Sequence, residues 1–180
     1  MAVFFYIMLG IFVLVEAFIA FRFKKRGEAV CIKYTVVPSV LYFMYLLMLC
    51  ILRISVPYLV LIFALFTIVF HTCVGIYYDL YHKSKIFDRY LHAFGSFSFA
   101  LLIYLTLSKL TEPGGTVLFR AVFVAALGMA AGALFEIFEF AHDTLNKTKL
   151  QRGLKDTDVD LICDAIGSVG AAVLAVLIYL

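Results

Sequence analysis

The sequence contains no tryptophan, and only 15% of its residues are charged. Soluble domains carry about 25% charged and roughly 45–50% apolar residues. At 65% hydrophobic residues and a mean hydropathy of +1.06, this chain lies outside that class. Without tryptophan, interfacial anchoring falls to the 11 tyrosines, while the 19 phenylalanines serve packing. The cysteines Cys31, Cys50, Cys73 and Cys163 form no CxxC pair and show no disulfide or zinc spacing, so they read as small buried apolar residues. No basic run is interleaved with aromatics, which excludes a nucleic-acid partner despite the net charge of +3. There is no P-loop, no HExxH and no serine or cysteine triad motif. The first segment lacks a positive n-region and an A-x-A site, so it reads as a retained span and not as a cleaved signal.

Long apolar runs take the place of these features. Six spans can be marked at residues 2–21, 34–52, 57–78, 90–107, 118–141 and 159–180. Each holds about 20 residues, enough to cross a hydrocarbon core of about 30 Å. The predicted fold class is therefore all-α: a polytopic membrane bundle of six transmembrane helices forming a single domain over residues 1–180. Lys and Arg set its orientation. Twelve basic residues fall in the first, third and fifth connections, against Arg53, Lys109 and Arg120 on the other side. The positive-inside rule then places both termini outside.

Local signals mark the ends of the spans. Ser55 and Pro57 read as a helix start. Pro113-Gly114-Gly115 reads as a tight outer turn. Thr157 with Asp160 reads as a capping box opening the last span. The connection from His142 to Thr157 is the longest and has room for a short interfacial element or lid. Asn146-Lys147-Thr148 matches a glycosylation sequon, but its cytoplasmic side rules out use.

Eight of the twelve acidic residues cluster at ends of apolar segments: Asp88; Glu136, Glu139 and Asp143; and Asp156, Asp158, Asp160 and Asp164. Ionisable groups inside a membrane cost a few kcal/mol each and mark functional sites. Span five carries Gly128, Gly132, Glu136 and Glu139 along one face, and span six carries Asp160, Asp164, Gly167 and Ala171. Antiparallel packing through the small residues predicts Glu136 opposite Asp164, with Glu139 and Asp160 nearer water. His71, on a stripe with Gly75 and Tyr78, and the pair Asp88 and His92 at i and i+4 supply partners at the same depth. Bland readings compete with these. Capping explains Asp156 and Asp158, Arg89 or Arg152 can pair structurally with the glutamates, and Glu16 can snorkel toward Arg22 or Lys24.

Carboxylates this close require protons or a cation. With imidazole they suit a divalent Mg, Mn, Fe or Zn ion, and E-x-x-E and D-x-x-x-D put both groups of each pair on one helix face. The expected ligands are His71, Glu136, Glu139, Asp160 and Asp164, the four acids doubling as catalytic groups and Asp88 and His92 supporting them. The leading reading is metal-dependent chemistry on a membrane lipid or lipid-linked headgroup at the cytoplasmic face. The alternatives are a proton- or cation-coupled transporter and a non-catalytic membrane scaffold.

The stretches Phe87-Asp88-Arg89-Tyr90-Leu91-His92, Phe135-Glu136-Ile137-Phe138-Glu139-Phe140 and Leu154 to Gly167 present D-R-x-x-H, E-x-x-E, D-T-x-x-D and D-x-x-G in order. In this the chain resembles the bacterial YjdF-like inner-membrane proteins and, more distantly, the VanZ-like proteins. Phe135 and Phe138 stand where YjdF-like proteins often have tryptophan, and Glu139 and Asp164 replace VanZ-like amides. The resemblance covers roughly residues 71 to 172. It implies a multi-pass protein of the bacterial inner membrane with a shared polar site, and it names no substrate.

Overall fold

A computed structural model describes residues 2–111, 114–146 and 150–180, with the side chains at 85 and 146 left undescribed. Its elements are α1 (Ala2–Arg26), α2 (Ala29–Ile51), α3 (Tyr58–Val69) continued by a π-helical segment (Phe70–Tyr77), α4 (Leu80–Lys83), α5 (Lys85–Thr111), α6 (Val117–Asn146) and α7 (Leu154–Ile178). No strand occurs among the described residues. Six helices are long and apolar enough to cross a membrane: Ala2–Arg26, Ala29–Ile51, Tyr58–Tyr77, Ile86–Thr111, Val117–Leu145 and Leu154–Ile178. A helix satisfies its own backbone groups where no water is available, which is why such sequences fold this way in lipid. The chain divides into two compact units, Met1–Phe87 and Asp88–Leu180.

In the first unit α1 and α2 are joined by two residues only, where the expected spans 2–21 and 34–52 left a longer connection. Gly27 adopts φ +74°, Gly27 N–H donates to the Lys24 carbonyl at 3.2 Å, and Glu28 N–H donates to that of Phe23 at 3.1 Å. This is a Schellman ending, which needs a left-handed residue and stops a helix abruptly. Lys24, Lys25 and Arg26 thus lie inside the last turn of α1, where cations complement the helix dipole. Helix α2 ends the same way, with Arg53 forced to φ 54°. Tyr42 crosses to α3, its hydroxyl donating to the Leu61 carbonyl at 2.8 Å. Helix α3 begins just after Pro57, as the sequence indicates, and the Pro57 carbonyl accepts from the Val60 N–H at 3.0 Å.

The π-helical segment alters the stripe expected in the third span. Its i→i+5 bonding changes the angular step per residue, so α-periodicity no longer predicts which side chains align. His71 and Gly75 both meet Tyr81 of α4: His71 Nδ1 lies 2.5 Å from the hydroxyl, and a Cβ at Gly75 would overlap the ring. Tyr78 is exposed instead of sharing that stripe. Glu16 departs from the snorkelling reading. It is buried, its Oε1 accepts from Thr72 at 2.5 Å, and Arg22 lies over the Phe18 ring.

The second unit holds α5 from Asp88 onward with α6 and α7. Small residues set its spacing, as helix association in lipid demands. A Cβ at Gly128 would overlap Ser168, one at Gly132 would overlap Asp164, and one at Gly167 would strike the Ala93 carbonyl of α5. Opposite faces expose Leu118, Leu134, Ile162 and Leu177, the apolar exterior of a membrane helix. The capping box at Thr157 does not form. Helix α7 starts a turn earlier, behind Gly153 at φ 110°, whose carbonyl accepts from Asp156 and Thr157, so Asp160 lies inside the helix. Of the tight outer turn and the sequon, Pro113, Lys147 and Thr148 lie outside the described residues.

Candidate acidic and histidine site

Four-residue spacing builds the site in the second unit. Asp88, His92 and Ser96 follow one face of α5; Gly128, Gly132 and Glu136 follow one face of α6; Asp156, Asp160, Asp164 and Ser168 follow one face of α7. The two glycines bring α6 close to α7, and Gly167 brings α7 close to α5, so the polar faces of three helices converge. Relative exposures are 8% for His92, 5% for Glu136, 3% for Asp160 and 1% for Asp164. These groups are therefore withdrawn from both water and lipid.

The packing register differs by one turn from the expected pairing. Asp164 packs on Gly132, and Glu136 stands level with Asp160. Asp164 accepts from Ser96 Oγ at 2.6 Å and holds both oxygens 3.3 Å from His92 Nδ1. Nδ1 thus faces Asp164, and Nε2 is turned toward the other carboxylates. Nε2 is 3.6 Å from Glu136 Oε1 and 3.9 Å from Asp88 Oδ1. The Phe135 ring meets the His92 ring edge-on at 5.6 Å and fixes its plane.

The connection before α7 closes one side of the site. Asp143 accepts from the Leu150 and Gln151 N–H groups at 2.8 and 2.9 Å, which fixes the returning chain. Gln151 then donates to the Glu136 carbonyl at 3.0 Å and to its Oε2 at 2.8 Å. Arg152 pairs with Asp88 through Nη2 and with Asp156 through Nε at 3.0 Å. Gln151 and Arg152 thus reach the carboxylates of the site from this connection.

Two groups of side chains have ligand atoms within 4.8 Å of one another: His92, Glu136 and Asp160; and Asp88, Asp156 and Asp160. Arg152 already bridges Asp88 and Asp156 of the second group. Asp160 Oδ1 is buried and has no hydrogen-bond partner among the described residues, a costly state for a carboxylate oxygen. The five carboxylates Asp88, Glu136, Asp156, Asp160 and Asp164 are accompanied by Arg152 and His92, so cations are in the minority even with His92 protonated.

Of the residues singled out in the sequence, Asp88, His92, Glu136, Asp160 and Asp164 come together. Glu139, three residues beyond Glu136, is half-buried and belongs to neither ligand group; His71 lies in the first unit and belongs to neither; Asp158 is exposed. Ser96, Gln151 and the engagement of Asp156 escaped sequence reasoning. Ser96 was accessible through its i+4 relation to His92, whereas Gln151 and Arg152 reach the site through an irregular segment with no period to read.

Known proteins place the whole chain in one group and leave the site unassigned. The model of a family described as predicted membrane protein (DUF2238) matches residues 4–179. An uncharacterized protein of Thermotoga maritima is 35% identical over 98 residues, covering 54% of this chain and 51% of that protein. The aligned stretch thus spans about half the length of that relative. No solved structure matches.

Proposed function

The chain belongs to the DUF2238 family of predicted membrane proteins, and from that premise we propose that its second unit is a membrane-embedded divalent-metal site. The observation that carries this reading is the group formed by His92 Nε2, Glu136 and Asp160, drawn from three helices, with Asp160 Oδ1 buried and unpartnered. One imidazole and two carboxylates suit Mn, Fe or Zn, and Mg with fewer protein ligands. His92, Glu136 and Asp160 are the ligands. Asp164, with Ser96 behind it, orients His92 through Nδ1, as carboxylate partners of ligating histidines do. Gln151 holds Glu136, and Arg152 neutralises the neighbouring aspartates.

Such an ion supplies Lewis acidity and an activated water. At the membrane surface that chemistry would be directed at a lipid or lipid-linked headgroup. The charge asymmetry of the connections supports a cytoplasm-facing site, and the likeness to YjdF-like proteins supports the bacterial inner membrane. The test is elemental mass spectrometry of detergent-purified protein, wild type beside Glu136→Gln/Asp160→Asn. Near-stoichiometric metal in wild type, lost in the double variant, is expected. Folded wild-type protein that retains no metal after incubation with Mn²⁺ or Zn²⁺ overturns the reading.

A further inference from the structure

The first unit contains its own buried acid, far in sequence from the acidic clusters. Glu16, in the second half of α1, is 6% exposed. Its Oε1 lies 2.5 Å from Thr72 Oγ1, and its Oε2 is buried with no partner among the described residues. None of the ion pairs among the described residues includes Glu16. Three of the four cations at this end of α1 are turned to aromatic rings: Arg22 to Phe18, Lys25 to Phe21 and Arg26 to Tyr77.

Counting hydroxyl protons narrows the state of this carboxyl. Ser39, which faces it from α2, spends its one proton on the Thr35 carbonyl at 2.9 Å, and Thr35 spends its own on the Cys31 carbonyl at 3.0 Å. Thr72 has one proton and three acceptors in reach, Glu16 Oε1 at 2.5 Å and the Ile68 and Val69 carbonyls at 3.0 and 3.4 Å. An ionised Glu16 would have to draw the Thr72 and Ser39 protons away from helix carbonyls and would keep a second oxygen bare in a membrane-spanning bundle. A buried carboxylate without a cation or further donors is among the most expensive groups a protein can hold. Protonated Glu16 removes the conflict. It donates from Oε1 to Thr72, and Thr72 donates to Ile68; the remaining bare oxygen is then a neutral carbonyl.

We propose that Glu16 and Thr72 form a proton-binding site inside the first unit, with Glu16 carrying the proton at neutral pH. The facing groups are the hydroxyls of Ser39 and Thr72 and, on the π-helical segment, the thiol of Cys73. No described basic side chain faces it. Its members all belong to the first unit and none is among the proposed metal ligands.

Infrared spectroscopy of the full-length protein in lipid tests this directly. The wild-type spectrum at neutral pH should contain a protonated-carboxyl C=O band that shifts in D₂O and disappears in Glu16→Gln. Thr72→Val should keep the band but move it to the higher frequency of a carboxyl that no longer donates, and Glu136→Gln should leave it in place. Loss of no such band in Glu16→Gln overturns the proposal. An unmoved band in Thr72→Val overturns the assigned partner even where Glu16→Gln is poorly folded.

Discussion

The two units solve the problem of a buried carboxylate in opposite ways. In the first, one acid stands among hydroxyls whose protons are mostly committed to helix carbonyls. In the second, five acids share one guanidinium, one imidazole, one side-chain amide and the Ser96 hydroxyl. A lone acid in an apolar bundle reaches neutrality with a proton. A cluster cannot do so without losing the acceptors that hold His92 and Arg152, so on the proposed reading it takes a cation. The difference between the two sites is one of company and not of burial, since Glu16 and Glu136 are equally withdrawn at 6% and 5% exposure.

The comparison predicts unequal responses to neutralising one acid. The largest belongs to Asp160→Asn. Asp160 is common to both ligand groups and has a bare oxygen, so this single change should abolish metal retention measured by elemental mass spectrometry. Retention at the wild-type level would mean that the acids of the second unit are also satisfied by protons, and the contrast between the units would collapse.

How far this contrast could be read from sequence depends on the residue. Helix number and the convergence of Asp88, His92, Glu136, Asp160 and Asp164 were legible, because both follow from hydropathy and four-residue spacing. The one-turn offset of Asp164 was not. It depends on whether the Gly132 notch receives a backbone or a carboxylate, and only packing decides that. The contact of His71 with Tyr81 was not legible because a π-helical segment leaves no mark in apolar periodicity, and Glu16 was misjudged because a rule for snorkelling lysines and arginines says nothing about a threonine on another helix.

A second, smaller effect sharpens the division of labour inside the acidic site. Asp164→Asn removes the carboxylate that fixes His92 Nδ1 while leaving the three ligand side chains intact. Outer-shell losses of this kind weaken metal affinity by about 10–100-fold. Competition with a chelator of known affinity should show that loss with the stoichiometry preserved. Full loss of metal would make Asp164 a ligand, as its position in the sequence first indicated.

Packing changes should be smaller again and specific to the second unit. Gly167→Ala drives a methyl into the Ala93 carbonyl, a backbone atom that cannot rotate away. Overpacking of this kind costs about 1–3 kcal/mol, visible as a lowered thermal midpoint. Gly10→Ala, where a Cβ meets nothing within 4 Å, should leave the midpoint close to wild type. Equal effects at the two positions would show that helix propensity, and not the α5–α7 approach, governs the response.

The smallest effect is expected at Glu16, and there its sign matters more than its size. Glutamine is close in shape to a protonated glutamate and still offers a donor toward Thr72 Oγ1, which remains free to donate to Ile68. Exchanging one neutral donor for another alters stability by about 1 kcal/mol at most, so Glu16→Gln should melt near wild type at neutral pH. Were Glu16 ionised, the same substitution would relieve an unpaired buried charge and raise stability by several kcal/mol. A thermal shift that is large and stabilising would therefore place both acids, in both units, in the same charged state, and would require a cation in the first unit as well as in the second.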